Sequence, residues 1–248
     1  MKACVNAFSV QKAGNTEDEY EDSFWPIGPR DEELPARIAA ADGATDAVYS
    51  GIWAKLLVRS WGKRRLDESR FQDGVNRDAK LWRRIIRHRK MPWYVEEKAR
   101  AGTFAAFVGL ELDYSQGSIA GTWSAVACGD CCFFHIRESE LLTSFPVTRS
   151  AEFSNSPHLL SSKDTDSGDS DQLSKATGTW EEGDHLYLMS DALACWFLTR
   201  CEEGFVPWQI LTEVTLTGEP PFADWIGELR NRHEIKNDDC TLVSITFE

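Results

Sequence analysis

ARIAAADGAT, residues 36–45, decides how this chain is read. The run is apolar and short, and it ends abruptly at Asp42-Gly43, so it reads as a buried strand closed by a sharp turn. The same arrangement recurs along the chain. Carboxylates stand at the corners of short apolar strands in EYEDSF (Glu21, Asp22), CGDC (Asp130), MSDAL (Asp191) and NDDCT (Asp238, Asp239). A turn favours Asp for its own hydrogen-bonding reasons, so one such corner is only a turn. Five beside buried strands imply more. If the strand ends converge, the carboxylates repel each other unless cations bind, and oxygen-rich sites of that kind suit Mg²⁺ or Mn²⁺. The crowded run EDEYED at 17–22 reads alone as a solvated acidic loop, and it gains meaning only beside the other corners.

Composition bounds the rest. The 248 residues carry 27 Lys+Arg against 40 Asp+Glu, a formal charge of -13, which argues against generic nucleic-acid binding. With 42% hydrophobic residues and 10 Trp, the chain can bury a sizeable core. No apolar run approaches the ~18 residues that span a bilayer, and no membrane association is expected. MKACVNAFSVQKAG at the start lacks the apolar block of a secretory signal. Seven irregularly spaced cysteines fit a reduced, cytoplasmic protein. Cys128 and Cys131 have C-x-x-C spacing, but no second pair follows, so they read as buried thiols.

Residues 1–10 read as a strand with Cys4, Asn6, Phe8 and Val10 on one face. TDAVYSGIWAKLLVRSW reads as an amphipathic helix capped by Thr45 or Asp46, with Val48, Ile52, Trp53, Leu56 and Leu57 inward. A second helix is expected over 76–88, with Val75, Ala79, Trp82, Ile85 and Ile86 inward and Arg77, Lys80, Arg83, Arg84 and Arg87 outward. TFAAFVGLELD, TWSAVACGD, CCFFHIRE and HLYLMSD follow as strands, and CGDC is expected to be a hairpin turning at Gly129-Asp130. The Ser/Asp-rich stretch 161–178 is expected to be a mobile loop. Helices begin at Asp191 and at PPFADWIGELRNR, and a last strand turns Val243, Ile245 and Phe247 inward. Strands in a block flanked by helix pairs argue for one α+β domain spanning 1–248, with no interior boundary.

The ordered series NTEDEYEDSF, IAAADGAT, AGTFAA, ACGDCC, LYLMSDAL and NDDCTLVSI resembles the metal-dependent serine/threonine phosphatases of type 2C, most closely their bacterial branch. Each motif is short; their number, order and strand context carry the resemblance over nearly the whole chain. It implies a four-layer α-β-β-α sandwich of two mostly antiparallel sheets, with two divalent cations, Mn²⁺ or Mg²⁺, at one end. Asp42 then matches the carboxylate that bridges the two ions, with the Gly43 carbonyl a further ligand and Asp191 and Asp238 the other direct ligands. Glu21 and Asp22 match the acidic pair that contacts metal-associated water, and Asp130 the residue that helps hold a weaker third ion in some members. The implied substrate is a phosphoprotein, met by a monomer.

Three positions depart from the family pattern. Many members carry a phosphate-gripping Arg before the Glu-Asp pair, where this chain has Glu17; Lys12 is the candidate that remains. Ala192 replaces the usual Gly after Asp191, and Ala44 follows Asp42-Gly43 where a His or Met is common. A weakly active or inactive regulatory pseudophosphatase is therefore the rival reading. The basic stretch NRDAKLWRRIIRHRKMPW at 76–93 reads as a solvated helix face, an anionic-partner or nucleic-acid site, or a docking surface for an acidic protein. His135 and His185 fall in strands, and Trp53, Trp82 and Trp225 follow helical spacing; all read as structural.

Overall fold

The structure is a computed structural model and describes residues 2–26, 30–114, 120–153, 157–163, 173–216 and 219–247. Among these, two antiparallel sheets stack face to face. The first orders β3 (Arg30–Glu33), β1 (Lys2–Val10), β12 (Cys240–Phe247), β11 (His185–Met189), β7 (Cys132–Arg137) and β8 (Glu140–Phe145). The second orders β10 (Ser174–Glu181), β6 (Ala120–Cys128), β5 (Phe104–Tyr114), β4 (Ala36–Gly43) and β2 (Ser23–Trp25), with the short β9 (Leu160–Ser161) also on β5.

Alternation explains the layering, because successive strand side chains face opposite ways. In β1, Ala3 and Val5 join Ile38, Val108, Leu110, Phe133, Val243 and Ile245 in the core between the sheets, while Phe8 faces the outer layer. That outer layer is formed by α4 (Asp191–Glu202), α5 (Pro207–Leu216) and α6 (Glu219–Asn231), whose Trp196, Phe197, Leu211, Phe222 and Ile226 pack on Phe134, Tyr187 and Met189. On the other side α1 (Ser50–Gly62) and α2 (Phe71–Arg87) press Trp53, Leu57, Trp61, Val75 and Trp82 onto Ala39, Ala41 and Phe107. The architecture is an α-β-β-α sandwich. Among the described residues no helix is long and apolar enough to cross a membrane.

Several local expectations change. CGDC is not a hairpin: β6 belongs to the second sheet and β7 to the first, so Gly129-Asp130 carries the chain across the sandwich. Gly129 has φ +93°, and a Cβ there would stand 2.7 Å from the Ala106 Cβ, so the crossing lies flat against β5. The hairpin lies one strand later, between β7 and β8, where Glu138 and Ser139 take φ 50° and 65°. Neither residue is the Gly or Asn that usually marks such a turn.

Helix α1 begins at Ser50, not at a Thr45 or Asp46 cap, because Tyr49 adopts a left-handed φ of 57° just before it. Its buried face is led by Trp53, Ala54, Leu57, Val58 and Trp61, with Val48, Ile52 and Leu56 only partly covered. Helix α2 starts five residues earlier than its periodicity suggests, at Phe71, and its basic face is exposed as expected. Of the stretch 161–178, residues 174–178 pair as β10 with β6 and Ser161 pairs with Phe104, while 164–172 lie outside the described residues. The helix α3 (Trp93–Arg100), together with α5 and strands β2, β3, β8 and β9, carried no clear signal in the sequence.

Candidate metal centre

Antiparallel pairing brings every acidic corner to one end of the sandwich. Ser23, just after Asp22, pairs with Ala41, just before Asp42. Met189, just before Asp191, pairs with Cys132, just after the crossing at Asp130, and also with Leu242 in β12. Val10 pairs with Cys240, which places Lys12 beside Asp238 and Asp239. The register, rather than any long-range loop, therefore sets the site.

Asp42, Asp130, Asp191 and Asp238 line a single cleft of about 240 Å³, with Lys236 the basic residue in its wall. Burial, then the negative charges of Asp22, Asp191 and Asp130, hold the Asp42 carboxyl well above its ordinary range. Burial and the nearby Asp191 push Asp130 up to about 6. Asp22 is 3% exposed and is pushed up to about 8, chiefly by burial. A hydrogen bond from Thr241 Oγ1 to Asp22 Oδ2 at 2.7 Å works against that rise, and among the described residues Oδ1 receives no hydrogen bond. Asp22, Asp42 and Asp130 crowd together at a cost in burial and charge repulsion.

Around them the support is dense. Glu21 is pushed up to about 7 by burial, against a hydrogen bond that its Oε1 accepts from Ser50 Oγ at the start of α1. Gly43 and Gly51 allow that helix end to approach: a Cβ on Gly43 would lie 2.7 Å from the Ser50 carbonyl carbon, and one on Gly51 would lie 3.2 Å from Glu21 Cα. Asp191 opens α4, and its Oδ1 accepts the Ala192 amide at 2.6 Å. The Ala192 methyl is buried with the α4 core, so the chain accommodates this departure from Gly by packing. Glu17, Asp18 and Glu19 are exposed, as the solvated part of the acidic run.

Two further residues prove central to the geometry: Asp239, read from the sequence only as an acidic corner, and Lys236, which the sequence did not single out. Asp239 accepts the Lys12 amide on Oδ1 and the Glu21 amide on Oδ2, both at 2.7 Å, and so ties two loops to the start of β12. Lys236 Nζ lies 2.7 Å from Asp238 Oδ2 and 3.4 Å from Asp191 Oδ2, as a counter-ion supplied by the chain itself. A Lys two residues before a candidate acidic ligand was the available signal for it. Lys12 is held by its backbone, and its charge favours the ionised form of Glu21, but it does not line the acidic cleft. An adjoining outer cleft of about 940 Å³ places Lys55 and Arg89 with Glu21 and Asp22.

The donor chemistry suits a hard divalent cation: carboxylate oxygens dominate the cleft, and among the described residues one buried oxygen beside it, Asp22 Oδ1, receives no hydrogen bond. Among the described residues, however, no three Asp, Glu, His or Cys side chains stand ready-made around one point. Lys236 holds two of the five lining carboxylates, so an ion that takes Asp191 and Asp238 must displace its ammonium.

The whole structure is similar to the catalytic domain of the serine/threonine protein phosphatase PstP in complex with two manganese ions. That likeness has 15% identity and a TM-score of 0.60, and covers 99% of this chain and 98% of that one. The fold is that of the type 2C phosphatases. The photosystem II phosphatase PBCP is similar at 14% identity and a TM-score of 0.63, covering 99% of both chains. PppA, a regulatory component of the T6SS in Pseudomonas aeruginosa, is similar at 12% identity and a TM-score of 0.60, covering 99% of this chain and 98% of its own. No protein-family model matches the chain, and no curated protein does. Within the type 2C fold, the acidic cleft lies where the ends of β4, β11 and the crossing after β6 meet the start of β12.

Proposed function

We propose that this protein is a metal-dependent phosphatase that hydrolyses phosphoserine and phosphothreonine esters of a phosphoprotein in the cytoplasm. The observation that carries this reading is the convergence of Asp42, Asp130, Asp191 and Asp238 on one cleft, with Asp22 buried beside them. A fold has no stability reason to bury like charges together. Asp42, the Gly43 carbonyl, Asp191 and Asp238 would hold two divalent cations, Mn²⁺ or Mg²⁺, and Asp130 would help hold a weaker third. When bound, the cations supply charge neutralisation for the phosphate and lower the pKa of water for in-line attack on phosphorus.

The chain's own groups do the rest. Asp22 Oδ1 is a vacant acceptor suited to fixing a water, and Thr241 holds its carboxylate in place. Glu21 is oriented by Ser50 and by its own amide on Asp239. The outer cleft supplies cations at Arg89 and Lys55 for the phosphate oxygens, which offsets the missing Arg near residue 17. Lys12, whose charge acts on Glu21, is the further candidate.

One observation favours a second reading, a regulatory pseudophosphatase: the Lys236 ammonium already neutralises Asp191 and Asp238. Phosphate release from a phosphothreonine peptide at rising Mn²⁺, set beside Mn²⁺ binding measured by calorimetry, separates the two. Turnover that follows metal occupancy supports the phosphatase. Binding without turnover would give the chain to the regulatory reading, and neither binding nor turnover would overturn both.

A further inference from the structure

The protein is strongly acidic, yet one cleft on it is strongly basic. It has a volume of about 660 Å³ and lies between the end of α2, α3 and the residues after β9. Arg83, Arg87, Arg89, Lys90, Arg100 and Lys163 line it, against Glu96 as the acid. Glu96 pairs with Arg100 at 2.8 Å. The floor is apolar, formed by Trp82, Ile86 and Ala99, all buried. Cations held on a dry floor attract anions more strongly than the same charges on a solvated helix face.

The cleft is also connected to the acidic centre. Gly102 lines both the basic cleft and a smaller cleft of about 250 Å³ that contains Phe104, Val48, Ala44 and Asp46. Ala44 and Asp46 in turn line the acidic cleft. Phe104 is 37% exposed there, so the path from acidic to basic cleft passes an open apolar wall. Arg89 makes a second link, since it lines both the basic cleft and the outer cleft of Glu21 and Asp22 while lying 5.2 Å over the Tyr49 ring.

We propose that the basic cleft is a recognition subsite for an acidic or additionally phosphorylated segment of the substrate peptide, beside the phosphoresidue that enters the acidic centre. The link to the acidic centre rests on the phosphatase reading; the binding itself does not. Charge complementarity selects the ligand. A compact cleft bounded by an acidic protein fits a short anionic peptide, whereas a long nucleic acid would meet the carboxylates on either side.

The test is fluorescence anisotropy in EDTA, with a labelled phosphoserine peptide followed by acidic residues. Arg87→Ala/Lys90→Ala/Lys163→Ala should weaken binding at least tenfold. Lys80→Ala/Arg84→Ala, on the same helix but outside the cleft, should change it less than twofold. Melting curves establish that both variants fold. Equal losses in the two variants, or no loss in the triple variant, would overturn the proposal. So would tighter binding of a single-stranded RNA of matched charge, or peptide binding that emerges only when Asp164, Asp166, Asp169 and Asp171 are replaced by Ser. With Mn²⁺ present, removing the acidic residues from the peptide should raise KM about tenfold and leave kcat unchanged. An unchanged KM would overturn the link to catalysis, while absence of all turnover would overturn the phosphatase reading and leave the EDTA result standing.

Discussion

Lys236→Met should tighten Mn²⁺ binding about tenfold and, at the same time, destabilise the metal-free protein. The ammonium contacts Asp238 at 2.7 Å and Asp191 at 3.4 Å, and its side chain is 60% exposed. At a water-like dielectric the nearer contact is worth about 1.5 kcal/mol and the farther about 1.2 kcal/mol, before the cost of ordering the side chain. Exposed pairs generally retain ~0.2–1 kcal/mol each, so the two together hold about 0.4–2 kcal/mol. A cation that takes the two carboxylates must give that up, and about 1.4 kcal/mol is a factor of ten in affinity. Met preserves the apolar stem and removes the charge. Calorimetry should therefore report a Kd for Mn²⁺ about tenfold lower in the variant. In EDTA its melting temperature should fall by about 2–4 °C per kcal/mol lost, because Asp191 and Asp238 then lack a counter-ion. Opposite signs in the two measurements are the signature of a tethered competitor. Unchanged or weaker Mn²⁺ binding would refute the reasoning and make Lys236 a support of the site instead.

Three further outcomes follow from the geometry. Asp239→Ala removes the acceptor of both the Lys12 and Glu21 amides and should cost about 2–4 kcal/mol in urea unfolding, whereas loss of a surface carboxylate would cost almost nothing. Gly62→Ala should destabilise by more than 1 kcal/mol and perturb tryptophan fluorescence, although helix propensity alone favours Ala, because the new Cβ would lie 2.0 Å from Trp25 Nε1. Asp184 is nearly fully buried; burial would raise its carboxyl, but hydrogen bonds from Arg137, the Glu181 amide and His135 outweigh it and hold the carboxyl below 3.8. Its contribution is thus complete above the unfolded value and is lost as pH falls through the folded one. The stability gap between wild type and Asp184→Asn should accordingly narrow below about pH 4, and a gap independent of pH would count against the buried ion pair.

The acidic corners were legible in the sequence because each lies at the end of a short apolar strand, and a strand end is a local property. Their convergence was not. It depends on antiparallel register, such as Ser23 opposite Ala41 and Met189 opposite Cys132, which composition does not encode. CGDC shows the difference: Gly-Asp signalled a turn correctly, but not that the turn leaves one sheet for the other. The start of α1 escaped because Tyr49 is left-handed without being Gly or Asn, and the β7–β8 hairpin escaped for the same reason at Glu138 and Ser139. Lys236 was overlooked, and Asp239 was read as an acidic corner but not as a clamp, because an ion pair and an amide clamp arise from what folds around them, Lys12 and Glu21 being more than 200 residues from Asp239 in sequence. The basic face of α2 was plain from its sequence, whereas the cleft it forms with α3 required a helix whose pattern is weak.

The most direct test of the metal-dependent phosphatase is p-nitrophenyl phosphate hydrolysis at increasing Mn²⁺, for the wild type beside Asp42→Ala and Asp191→Ala, with circular dichroism to establish that each variant folds. Hydrolysis that rises with Mn²⁺ in the wild type and disappears in both folded variants is the predicted result. Hydrolysis that persists without Mn²⁺, or survives unchanged in either variant, would contradict it.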